Sequence, residues 1–99
     1  MPTLTENMGS GPGDVWVLIK VEGTHFQYYR NILESLVEYI TMSNLGEIDG
    51  ESIGVGAIDI NFMVSNKEQV AIILYQFLQE NYKELEFHVS DHYEAIFEE

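Results

Sequence analysis

Residues 45–64, LGEIDGESIGVGAIDINFMV, decide the fold. Their second half alternates strictly, with Ile58, Ile60, Phe62 and Val64 on one side and Asp59, Asn61 and Met63 on the other. A pleated strand sends successive side chains to opposite faces, so this half is a strand with one apolar face. The first half is punctuated by Gly46, Gly50, Gly54 and Gly56 and reads as the partner strand with its turn. Two turn positions compete. Asp49-Gly50 has the composition of a tight hairpin turn, whereas Gly54-Val55-Gly56 leaves two strands of better matched length. We favour the second, with Gly50 as a bulge or edge irregularity. Glu47, Asp49 and Glu51 then share one face of an edge strand, where charge also discourages edge pairing.

Working outward, each side of the hairpin holds one helical pattern and then one more strand. On the N-terminal side, Val15, Val17, Ile19 and Val21 alternate with Trp16, Leu18, Lys20 and Glu22. The β-branched set faces the core. The other face is only half polar, the first sign that something covers it. Gly23 breaks this strand, and Thr24 with Gln27 has capping-box spacing. Phe26, Tyr29, Leu33, Leu36, Val37 and Ile40 then recur at helical intervals, up to an end near Met42 to Asn44.

On the C-terminal side, Ser65 and Glu68 form a second capping box. Val70, Ile73, Leu74, Phe77 and Leu78 line the core face of the second helix, with Tyr82 at its end. Ala71, Ile72 and Tyr75 widen the apolar band and predict the more deeply buried helix of the pair. Leu85, Phe87 and Val89 alternate with Glu86, His88 and Ser90 as the last clear strand. The order β-α-β-β-α-β predicts a ferredoxin-like α+β fold: a four-stranded antiparallel sheet, order 4-1-3-2, with two helices on one face. Residues 1–14, rich in glycine and proline and without periodicity, read as a flexible lead-in to a single domain over 15–99. Residues 91–99 carry Tyr93, Ile96 and Phe97 among acids, and their pattern fixes neither strand nor helix.

Composition narrows the function classes. Seventeen acidic against four basic residues give a formal net charge of −13 in 99 residues. That exceeds the range of about 2 to 8 that solubility calls for. Such a charge argues against nucleic-acid binding, which depends on a basic surface, and suits a basic protein partner. There is no cysteine, so disulfides and thiolate metal sites are excluded. No apolar run approaches membrane-spanning length and no secretory leader pattern opens the chain, which favours a soluble cytoplasmic protein.

The glycines of GEIDGESIGVG lie between two strands and among acids. A phosphate cradle needs them between a strand and a helix N-terminus, so they read as turn and bulge residues. The predicted sheet face opposite the helices gathers Glu47, Asp49, Glu51, Asp59, Asn61, Met63, Trp16, Leu18, Lys20, Glu86 and His88. These residues include no metal-ligand spacing and no nucleophile motif, so neither an enzyme nor a cofactor is expected. The constellation reads better as a recognition surface, with Glu47, Asp49, Glu51, Asp59 and Glu86 steering a basic partner and Trp16 anchoring it. The alternatives are a dimeric ligand-binding or assembly module, and a metal-dependent enzyme using the sheet-face carboxylates; the C-terminal tail is a further candidate to cover this face.

Gly46, Asp49, Gly50, Gly54 and Gly56 match a hairpin of the form G-x-x-D-G-x-x-x-G-x-G followed by an alternating strand and a capped helix. In this the chain resembles a group of small, mostly uncharacterised bacterial proteins. It departs from them in having Ala57 in place of a second acid, and Ser65 and Asn66 at the helix entry. Small acidic members of such groups are similar to immunity proteins, which neutralise a basic toxin by covering its active site. The resemblance implies a fold and, for function, an inhibitor of a basic toxin or nuclease.

Overall fold

In the computed structural model, which describes residues 2–5, 8–23, 26–54, 56–94 and 97, the chain runs β1 (Thr3–Leu4), β2 (Gly13–Lys20), α1 (Phe26–Met42), β3 (Gly46–Ile53), β4 (Ala57–Val64), α2 (Lys67–Asn81) and β5 (Phe87–Ser90). The strands form one five-stranded sheet in the order β1-β5-β2-β4-β3. The predicted order is present in β5-β2-β4-β3, all paired antiparallel. The sheet differs from prediction in its fifth strand: Thr3 and Leu4 pair parallel with His88 and Val89, so the sheet is mixed. A two-residue strand is too short to show alternation, which is why the lead-in reading missed it. β2 also starts earlier than its pattern, with Gly13 opposite Val64 and Asp14 opposite Met63.

Val15, Val17, Ile19, Ile58, Ile60, Phe62, Phe87 and Val89 belong to one buried cluster that also takes in residues of both helices and Met8. Removing a side chain such as Phe62 or Phe87 from water contributes on the order of 1.5–3 kcal/mol each. The helices also touch each other. Tyr39 and Phe77 stack with centroids 4.4 Å apart, and the Tyr82 hydroxyl donates to Ser35 Oγ at 3.1 Å.

α1 buries Tyr29, Ile32, Leu33, Leu36 and Ile40, while Phe26 is exposed. It ends in a tight left-handed cap: Asn44 has φ 54°, Leu45 N–H donates to Ile40 O at 3.1 Å and Asn44 N–H to Thr41 O at 3.2 Å. Those bonds satisfy carbonyls that the helix end would orphan. Thr24 of the first capping box lies outside the described residues. The second box is corrected by one position: Asn66 caps α2 by accepting from Gln69 N–H at 3.0 Å, not Ser65. α2 buries Val70, Ala71, Leu74 and Leu78 and leaves Ile72 exposed, so it is no more deeply buried than α1.

The hairpin turns at 54–56, as the strand lengths required. Gly54 N–H donates to Ala57 O at 2.9 Å, and Gly56 has φ 81°, a conformation that strains any residue with a Cβ. Val55 lies outside the described residues. The pairing slips between Ile48 and Gly50, a bulge at Asp49.

Candidate functional site

Parity along the strands assigns each candidate to a face. On the face away from the helices, β2 places Asp14, Trp16, Leu18 and Lys20, and β4 places Asp59, Asn61 and Met63. β5 adds His88 and Ser90, with His88 opposite Leu18 and Ser90 opposite Trp16. β3 contributes Glu47, opposite Met63. The bulge then decides the rest. The extra residue keeps Asp49 on this face, where its carboxylate accepts from Asn61 Nδ2 at 3.3 Å, but it reverses the parity beyond. Glu51 pairs with Ile60 and so sits on the helix side of the sheet edge, apart from Glu47 and Asp49. The predicted trio is thereby split: two acids on one face, one on the other.

Asp14 was not among the sequence candidates, yet it joins this corner. Asn61 Nδ2 donates to Asp14 Oδ2 at 2.7 Å, bridging the two aspartates across β2, β4 and β3. Partial burial raises the Asp14 carboxyl above the ordinary carboxylate range, and the neighbouring Asp49 raises it further, against the opposing pull of the Asn61 bond. A shallow depression lined by Pro12, Leu45, Glu47 and Met63 adjoins the corner.

The β2–β5 half of the same face is covered. After Ser90 the chain doubles back over the sheet, and Tyr93 meets Trp16 edge-on with ring centroids 5.6 Å apart. Glu94 reaches His88 Nε2 at 3.0 Å and His92 Nε2 at 2.5 Å. Farther along, the Phe97 carbonyl lies beside Gly56, 3.3 Å from where a Cβ would be. Leu18, on the face opposite the helices, is accordingly only 2% exposed. The tail therefore covers the side of the sheet that the half-polar pattern of Trp16 and Leu18 had marked.

His88 is the polar centre of this cover and is 7% exposed. Its Nδ1 lies 2.6 Å from the Thr3 hydroxyl and its Nε2 3.1 Å from that of Thr5. Both ring nitrogens of His88 therefore have polar partners, Thr3 at Nδ1 and Thr5 with Glu94 at Nε2. One histidine thus ties together the edge strand β1, β5 and the tail. His92, more exposed, is held by Asp91 at 2.9 Å. The hydrogen bond that His92 Nδ1–H donates to the Asp91 carboxylate raises the His92 imidazole above its ordinary value, aided by Glu94, while the same bond lowers the Asp91 carboxyl.

The remaining candidates have other surroundings. Asp59 is 8% exposed, and Glu86 pairs with Lys20 at 3.3 Å. Lys20 also approaches Glu22 at 3.7 Å. Among the described residues no lysine, arginine or histidine comes within ion-pair distance of Glu47, Asp49 or Glu51, and no group of three or more histidines and carboxylates is placed to hold a metal ion. No helix of the described chain is long and apolar enough to cross a membrane. No family model matches the chain, and comparison with curated proteins and with solved structures returns no match.

Proposed function

We propose that this protein is a non-enzymatic, acidic binding module built on a ferredoxin-like βαββαβ core, acting as an immunity-type inhibitor of a basic toxin or nuclease. One observation carries the reading: the exposed β3 strand holds Glu47, Asp49 and Glu51 without a cationic partner among the described residues, in a chain of net charge −13. Carboxylates left unpaired at an edge keep their full field for steering a cationic surface. Trp16, packed against Tyr93, and Asp59, buried in the sheet, contribute less to that surface than the β3 acids. A dimeric module using the open sheet face is less well supported, because Tyr93 and Glu94 occupy its β2–β5 half.

The test is to mix the protein with the product of its neighbouring gene and measure complex formation across a salt series. Binding that weakens with salt and drops in Asp49→Lys supports the reading. Binding that is absent, or indifferent to both salt and Asp49→Lys, removes it.

A further inference from the structure

Among the described residues β3 ends the sheet and pairs only with β4, which leaves one side of its backbone without a strand partner there. The phase of the ladder shows which groups are free. In an antiparallel pair, residues that exchange hydrogen bonds alternate with residues whose N–H and C=O point the other way. The bond from Gly54 N–H to Ala57 O makes that pair a bonded one, so Ile53 and Glu51, opposite Ile58 and Ile60, turn their backbone groups outward. The next ladder agrees: Val21 N–H bonds to Gly56 O, which directs Ile58 and Ile60 toward β2 and away from β3.

The side chains around this edge are an unusual mixture. Ile48 is 42% and Ile53 51% exposed, while Glu47, Asp49 and Glu51 supply negative charge. Exposed edges are commonly protected by charge, and these acids do exclude one occupant, a second copy of the same strand. Pairing two β3 strands would bring like charges together between chains that each carry −13. An edge built only to repel would not keep isoleucines half exposed along it. Charge that rejects a copy admits a cationic strand, and the isoleucines supply apolar area for it.

We propose that the β3 edge at Glu51–Ile53 receives an extended segment of the basic protein partner, which adds to the sheet as a further strand. The segment carries a basic residue opposite Glu51 and an apolar one opposite Ile53, two positions apart on one face, because those two share a face of β3. This inference rests on the acidic-binder reading above and specifies how that binder engages its partner.

The experiment titrates the isotope-labelled full chain with an eight-residue peptide repeating lysine-threonine-valine-threonine, which sets lysine and valine two positions apart on one face, following backbone amide resonances at low and high salt. Shifts concentrated at Glu51, Ser52 and Ile53 are expected, with binding weakened by salt. Ile53→Pro removes an N–H that no bond among the described residues uses, so the sheet tolerates it while peptide affinity falls about tenfold or more; Ile53→Ala retains most of the affinity. Glu51→Lys leaves the backbone intact and transfers preference to the same peptide with glutamate in place of lysine, which keeps the test open should the proline variant misfold. Undiminished binding by a folded Ile53→Pro, shifts centred on Trp16 and Tyr93, or a dimer of the free protein that Ile53→Pro dissolves would overturn the proposal. Salt-sensitive binding that survives Ile53→Pro defeats only this mode of docking. Loss of all binding to cationic proteins defeats the acidic-binder reading itself.

Discussion

Gly46 opens β3 with no room for a side chain. A Cβ there would lie 2.7 Å from Val64 Cγ1 and closer still to the Met63 carbonyl, which is backbone and cannot swing aside. Gly46→Ala must therefore push β3 off β4 and is expected to cost about 1–3 kcal/mol, read as a lower midpoint in urea. At Gly50 the added carbon would meet only the Asn61 side-chain oxygen, at 3.0 Å, so Gly50→Ala should be the milder change. Asp14 makes the opposite case. Its carboxyl is raised in the folded protein, so its contribution favours folding below the ordinary carboxylate pKa and is lost as pH rises through the raised value. At neutral pH the charge is a liability. Asp14→Asn keeps an acceptor for Asn61 and gains a donor toward Asp49, and should raise the melting temperature at pH 7 by a few degrees. The gain should vanish near pH 4, which thermal scans at the two pH values would check.

At the scale of elements, strands with five or more alternating residues were legible, and so were both helices. Ile58 to Val64 and Val15 to Ile19 carried their own evidence because burial on one face imposes period two. Three features were not readable. β1 is too short to have a period, and its role depends on Thr3 meeting His88 from the far end of the chain. The split of Glu51 from Glu47 and Asp49 depends on the bulge, whose single extra residue inverts parity without altering composition. The tail could be suspected only from the apolar Trp16 and Leu18 on a face otherwise polar. That tail is held by groups whose charge is set by pH. The raised His92 stabilises docking below its ordinary pKa of 6.5 and loses this as pH rises through the raised value; the lowered Asp91 stabilises above 3.8 and loses it as pH falls. Docking is thus firmest in mildly acidic solution and loosens on the alkaline side. Trp16 is the sole tryptophan and touches Tyr93, so its emission should report the change as pH is raised past the ordinary imidazole value. His92→Ala should flatten that profile; an identical profile in the variant would assign the change elsewhere.

Over the whole molecule, charge sets the response to salt. The principal extents are 36 × 26 × 23 Å, comparable with a Debye length of about 30 Å at 0.01 M salt. At low ionic strength every carboxylate therefore feels every other, and the net charge of −13 opposes the compact state. Raising sodium chloride to about 0.5 M confines each charge to its neighbours, and this should raise the melting temperature by several degrees. Local ion pairs such as Lys20 with Glu86 are exposed and too few to reverse that sign. The same screening weakens attraction to a cationic partner, so one salt series should move the two observables in opposite directions: stability of the free protein upward, affinity for a basic protein downward. Calorimetry of the free protein and titration with its partner, run over the same sodium chloride range, test this directly. A complex that strengthened with salt would instead point to apolar contacts, such as those of Ile48 and Ile53, as its main source of affinity.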